Sequence, residues 1–287
     1  MPVLVRLLAH IPLRFMHVLG ALLGWLAFLA SPTYRRRFVA NAARAGYRFA
    51  EVRAAVAQAG RTAAEIPRLW FGSTPACALV NEGLVAEAYA AGRGVIYLTP
   101  HLGCFELSAQ DAARRWGDRY GPITVLYRPA RQAWLARMME TARNRPAMQA
   151  VPTTLTGVRL MIKALRRGEA VGLLPDQVPP DGQGVWAPFF GQDAYTMTLA
   201  ARLAQQTGAQ VLIVYCERLP KGRGFVTHFE RLEAPLADDA VLAATQINRA
   251  MEHLIRQCPQ QYLWGYARYK RPRGPAPVGM AVGEGAA

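Results

Sequence analysis

Apolar positions fall in three successive patterns along the chain. From Phe15 to Ala30 they are almost unbroken, and no Asp, Glu, Lys or Arg occurs between Phe15 and Tyr34. Such a stretch is at the short end of what crosses a hydrocarbon core of about 30 Å. Its apolar residues run all round a helix rather than along one stripe. The reading is therefore a membrane anchor or a deeply seated interfacial helix, with residues 1–34 as a unit of their own. From residue 40 to 93 the pattern is helical: Ala-rich, with Glu51, Arg53, Gln58, Arg61 and Glu65 among apolar positions, punctuated by Pro67 and Pro75. Trp70 and Phe71 are expected to pack on the core.

From residue 95 onward, short apolar runs alternate with amphipathic stretches. Strands are expected at 95–98, 123–127, 170–174, 211–215 and 225–229. Helices are expected at 102–115, 131–143, 156–167, 197–206 and 239–257. This order implies an α/β fold, a single domain over residues 35–271 whose mostly parallel mixed sheet is flanked by helices. The strands at 211–215 and 225–229 face each other across Pro220-Lys-Gly-Arg-Gly224, which adds an antiparallel part. Residues 272–287 are mainly Gly, Pro and Ala and are expected to be a disordered tail.

Charge narrows the class of partner. Of 287 residues 52% are hydrophobic, ample for a core, yet the net charge is +15, from 31 Arg and 3 Lys against 19 acids. That balance asks for an anionic partner. Zinc-finger spacing, a basic zipper and RNP-type aromatics are missing, so nucleic acid is not expected. Cys77, Cys104, Cys216 and Cys258 are scattered without CxxC spacing, which fits a reducing compartment and no disulfide framework. Residues 1–50 hold seven Arg and no acid, with Arg6 and Arg14 before the apolar run and Arg35, Arg36, Arg37, Arg44 and Arg48 after it. The heavier C-terminal flank keeps the main domain in the cytoplasm. Cleavage after Ala30 would place the bulky Phe28 where a signal peptidase wants a small residue. Arg268, Lys270, Arg271 and Arg273 form a second acid-free cluster, read as either a membrane or carrier contact or a solvated tail.

Candidate chemistry centres on His101-Leu-Gly-Cys-Phe-Glu106, between an expected strand and an expected helix. Five helical residues advance about 500°, leaving positions 101 and 106 about 140° apart. They face each other only if His101 is on the loop and Glu106 in the first helical turn. A carboxylate beside the imidazole would fix its tautomer and favour the protonated form, an arrangement suited to a general base acting on a hydroxyl. No GxSxG elbow offers a serine nucleophile, and Cys104 is read as small packing. Asp176 follows a strand at the end where open α/β sheets bind ligands, and is expected to orient the next loop or bind polar headgroup atoms. Trp186, Phe189 and Phe190 follow a turn-rich loop and are read either as core or as a cap for an apolar chain. With Asp181, Asp176 matches no metal motif, and no cofactor is called for. Arg128, Arg143 and Arg145 follow a strand or a helix end, where guanidinium groups suit phosphates. Each alone is also consistent with a solvated face.

The ordered series resembles the lipid A late acyltransferases, lauroyl and myristoyl transferases of the lysophospholipid acyltransferase superfamily. Its pieces are the apolar N-terminal segment, the His101–Glu106 motif, Tyr127-Arg128-Pro129, Arg143-Asn-Arg145, and Met161 through Glu169. Pro175-Asp176-Gln177, the VWAPFFG run at 185–191, and Tyr262-Leu-Trp with Arg268-Tyr-Lys-Arg-Pro272 complete it. The resemblance implies acyl transfer from acyl carrier protein to a hydroxyl of an anionic lipid, at the cytoplasmic face of the inner membrane. His101 and Glu106 would be catalytic, and Arg128, Arg143, Arg145 and Asp176 substrate-binding, with an essential Arg in the 143–145 pair. A lysophospholipid or ornithine-lipid acyltransferase is the alternative enzyme, and a non-catalytic basic membrane-associated protein the alternative class.

Overall fold

The computed structural model describes residues 5, 7–127, 132–143 and 145–272. Arg128, Arg273 and the expected tail beyond Arg273 therefore lie outside the described residues. In chain order the elements are α1 (Leu13–Ala30), α2 (Pro32–Arg44), the single turn α3 (Phe49–Val52), α4 (Ala54–Phe71), β1 (Cys77–Val80), α5 (Gly83–Ala90), β2 (Val95–Leu98), α6 (Phe105–Tyr120), β3 (Ile123–Tyr127) and α7 (Ala133–Arg143). They continue with β4 (Met148–Pro152), α8 (Leu155–Arg166), β5 (Ala170–Leu173), β6 (Gly184–Phe189), β7 (Gln192–Met197), α9 (Leu199–Thr207), β8 (Gln210–Arg218), β9 (Phe225–Arg231) and α10 (Ala240–Gln257). Asp239 starts α10 by accepting the Val241 and Leu242 N–H groups at 3.0 and 2.8 Å.

Among the described residues seven strands form one sheet in the order β1-β9-β8-β2-β5-β3-β4. All neighbours are parallel except β8 and β9, the antiparallel hairpin the sequence indicates. The four residues of β2 are wholly buried, as a central parallel strand covered on both faces must be. Three elements differ from expectation. The helical stretch ends at Phe71, and Cys-Ala-Leu-Val at 77–80 pairs with β9 as an edge strand. Met148–Pro152 is a second edge strand. The aromatic loop after Asp176 is a separate antiparallel hairpin, β6–β7, turned by Phe190 and Gly191, both at positive φ (47° and 72°). Its Phe189 and Phe190 are buried core, whereas Trp186 is half exposed.

The N-terminal helix has two faces. Met16, His17, Gly20, Gly24 and Phe28 are buried against the domain. The approach to α4 is so close that a Cβ on Gly60 would lie 1.9 Å from the Gly20 carbonyl oxygen, and one on Gly24 would lie 2.4 Å from that of Val56. Only glycine fits this crossing. On the opposite face Phe15, Val18, Leu19, Leu22, Leu23, Leu26 and Leu29 are exposed at helical spacing. Length and composition would allow this helix to cross a membrane. An apolar groove of about 460 Å³ runs between α1 and α4, lined by Leu8, Ile11, Met16, Leu19, Leu23 and Pro67 among others.

Candidate active site

The register of two neighbouring strands builds the centre of the site. β2 and β5 run in parallel with Leu98 opposite Leu173, and the ladder extends one step as the Thr99 N–H donates to the Leu173 carbonyl at 3.1 Å. Three residues beyond each of these positions, His101 and Asp176 meet. The His101 backbone N–H donates to Asp176 Oδ2 at 2.9 Å, and the ring Nδ1 lies 2.7 Å from Oδ1. Burial of the Asp176 carboxyl, 2% exposed, works against its charge. The facing imidazole, the two hydrogen bonds from His101 and the Arg268 charge outweigh that, and hold it below the ordinary carboxylate range. An ionised carboxylate only accepts, so Nδ1 carries the hydrogen and Nε2 the lone pair, an assignment made from the hydrogen-bond network. The Gln177 amide nitrogen lies 3.0 Å from Nε2 and donates to it. The Phe105 ring meets the imidazole edge-on at 4.8 Å.

The loop that carries His101 is pinned along its backbone. Gly103 N–H donates to the Gln261 carbonyl at 3.1 Å, Cys104 N–H to that of Cys216 at 2.8 Å, and Leu263 N–H to that of His101 at 3.2 Å. Gly103 has φ +61°, and a Cβ there would stand 2.0 Å from the Cys216 oxygen, so no other residue closes this turn. Cys104 is buried, and burial pushes its thiol well above its usual range, as packing rather than a nucleophile requires.

Glu106 does lie in the first turn of α6, yet the carboxylate on the His101 ring is that of Asp176, not Glu106. The α6 geometry turns Glu106 toward α7 and α4 instead. Its oxygens accept the Arg143 Nε and Nη2 hydrogens at 2.9 and 2.8 Å, and the Trp70 indole N–H at 3.0 Å. Arg143, the last residue of α7, also lies over the Trp70 and Tyr127 rings at 5.8 and 6.0 Å. Asp176, expected to orient the next loop or bind polar headgroup atoms, stands behind the imidazole, buried at 2% exposure. Arg145 is committed to the fold, donating to the carbonyls of Ala142 (2.8 Å), Leu69 and Trp70 and to Gln110. It thereby satisfies carbonyls at the end of α4 that the helix itself leaves unpaired. Arg268 leaves the expected basic patch as well. It is 2% exposed and donates to the Tyr195 carbonyl and the Thr196 hydroxyl, both at 2.7 Å, tying the C-terminal segment to β7.

A buried charge cluster not foreseen in the sequence connects α1 to this loop. The Arg218 guanidinium donates to both Glu65 oxygens, to Gln58 at 2.9 Å, to Thr62 at 3.1 Å and to the Gly103 carbonyl at 3.3 Å. Glu65 in turn holds His17 of α1 at 2.6 Å. Arg218 and Glu65 are both about 1% exposed at their side chains. Their positions on a central strand and an Ala-rich helix were the available signal, since a charge there needs a partner. For Gln177 the available signal was its place beside Asp176, just past the end of β5. None of the groove residues named above belongs to this site.

Residues 3–271 match the model of the family described as bacterial lipid A biosynthesis acyltransferase. Relatives include the lipid A biosynthesis lauroyltransferase of Escherichia coli K12, 30% identical over 196 residues, which are 66% of this chain and 61% of that protein. The palmitoleoyltransferase of the same strain is 29% identical over 199 residues, 67% of this chain and 62% of that protein. A lipid A biosynthesis acyltransferase of Haemophilus influenzae is 24% identical over 183 residues, 63% and 55% of the two chains. The matched stretches thus span less than two thirds of these relatives.

Proposed function

The chain belongs to the bacterial lipid A biosynthesis acyltransferase family, and from that premise we propose that it is an O-acyltransferase moving a fatty acyl chain from acyl carrier protein to a hydroxyl of a lipid A precursor. His101 Nε2 removes the hydroxyl proton as the oxygen attacks the thioester carbonyl carbon. The carbonyl electron pair moves onto oxygen. When it returns, the carbon–sulfur bond breaks and Nε2 gives its proton to the departing thiolate. Asp176 keeps the Nδ1–H tautomer and stabilises the transient imidazolium, so no covalent acyl-enzyme is needed. The observation that carries this reading is the His101–Asp176 pair at 2.7 Å, with the remaining ring nitrogen turned to a displaceable side chain.

Glu106 acts through Arg143 in this reading. Held bidentately and stacked on two aromatic rings, the guanidinium offers a fixed cation to a phosphate of the headgroup or of the pantetheine arm. Arg128 is carried as a second candidate cation. The exposed stripe of α1 enters the inner membrane from the cytoplasmic side while its glycine face stays on α4. Exposed Arg36 and Arg37 of α2 add about 1 kcal/mol each against an anionic leaflet. The test is lipid mass spectrometry of cells lacking the protein. One acyl chain is expected to be missing from lipid A and to return with the wild-type chain but not with His101→Ala. Full restoration by His101→Ala would remove the base from the mechanism, and an unaltered lipid A would remove the acceptor.

A further inference from the structure

We propose that the Gln177 side-chain amide is the oxyanion donor of the acyl-transfer step, released to that task by protonation of His101. The inference rests on the acyl-transfer reading above. Donors for a developing oxyanion are commonly backbone amides of the loop that carries the base or nucleophile. Here the four from His101 to Cys104 are all engaged, by Asp176 Oδ2 and by the carbonyls of Pro100, Gln261 and Cys216. Gln177, one residue past Asp176, stands at the reacting face of the imidazole, its amide nitrogen 3.0 Å from Nε2.

Proton bookkeeping then gives it two positions. At rest Nε2 bears the lone pair, and the amide must present N–H to it. The acceptor hydroxyl needs that same lone pair and displaces the amide. Once Nε2 has taken the hydroxyl proton, it is itself a donor, and an amide N–H facing it is repelled. At that moment negative charge forms on the carbonyl oxygen, attached to the carbon that the attacking oxygen has just bonded. A primary amide has two N–H groups and turns the nearest of them to this oxygen. On collapse the carbonyl re-forms, the thiolate leaves with the Nε2 proton, and the amide returns to the freed lone pair. No bond to Gln177 forms or breaks.

The experiment uses the full chain in detergent, with an acyl carrier protein thioester as donor and a lipid A precursor as acceptor. Wild type, His101→Ala, Gln177→Met and Gln177→Glu are compared across pH. Gln177→Met keeps the side chain's bulk without a donor, and is expected to lower kcat by about 10²–10³-fold with KM nearly unchanged. Gln177→Glu is expected to show the same kcat loss, and to move the acidic limb of kcat/KM to higher pH, because a carboxylate facing Nε2 favours the imidazolium. Either variant with near wild-type kcat, or a loss confined to KM, overturns the proposal while wild type and His101→Ala still define the base. A wild-type chain that transfers no acyl group under these conditions refutes the acyl-transfer reading, and this inference with it. If Gln177→Met does not fold, Gln177→Glu alone decides.

Discussion

Asp176→Asn tests the pair at the centre of the site almost without changing its shape. Both Asp176 oxygens accept: Oδ2 from the His101 backbone N–H at 2.9 Å, Oδ1 from Nδ1–H at 2.7 Å. Asparagine offers one acceptor and one donor. If its oxygen stays on Nδ1–H, its NH2 group faces the backbone N–H, donor against donor. If it flips, the NH2 donates to Nδ1 and drives the ring hydrogen onto Nε2, which can then accept no proton from a hydroxyl. The equivalent swap in the His–Asp pair of serine proteases lowers kcat about 10⁴-fold, and the same order, roughly 10³–10⁴ or about 4–5.5 kcal/mol, is expected here. Stability should fall by only about 1–3 kcal/mol, the cost of one unsatisfied buried group. Steady-state transfer and a thermal melt on one preparation separate the two effects. A variant within tenfold of wild-type kcat, with an unchanged melt, would refute the claim that Asp176 sets the tautomer.

Glu106→Gln should chiefly raise KM, since it loosens Arg143 rather than the imidazole; a kcat loss as deep as that of Asp176→Asn would contradict this division of roles. Gly60→Ala puts a methyl group where the Gly20 carbonyl stands, and overpacking of this kind costs about 1–3 kcal/mol, read as a lower melting temperature and weaker liposome binding. Glu65→Ala leaves the Arg218 guanidinium buried without its carboxylate, an expected loss of about 3–5 kcal/mol by denaturant titration; a loss below 1 kcal/mol would show that water reaches the cluster. For Glu65, burial acts to raise the carboxyl, but the Arg218 and His17 contacts outweigh it and hold it below its usual value, as their counterparts do for Asp176. Both groups bind protons more weakly folded than unfolded, so their stabilisation is complete above the unfolded values near 4 and is lost as pH falls through the lower folded ones. The melting temperature should therefore drop steeply below about pH 4, and less steeply in Glu65→Gln.

The strands that were legible in the sequence are those with continuous apolar runs and turn residues at both ends, such as 95–98 and 170–174. β1 and β4 were not, because a four-residue Cys-Ala-Leu-Val within Ala-rich surroundings and a Met-Gln-Ala-Val-Pro run read as helix and loop until a neighbouring strand claims them. His101 stood out by its place between strand and helix. Its true partner did not, because Glu106 is near in sequence, whereas Asp176 becomes near only when β5 inserts between β2 and β3. That insertion is a property of topology, and no local pattern in the chain encodes it. Arg143 and Arg145 look interchangeable two residues apart. The structure separates them by what each reaches: one a carboxylate beside the site, the other the carbonyls closing a helix.

The cluster joining Arg218, Glu65, His17 and the Gly103 carbonyl bears on how the protein is handled at the bench. Trimming a greasy leading helix is a common route to a soluble preparation. In this chain the cut would strip away His17, bare the glycine crease along α4, and open a sealed ion pair to water from the side that also props the histidine turn. A shortened form should come out poorly active as well as easier to dissolve, and its weakness would say nothing about whether substrate ever touches the missing segment.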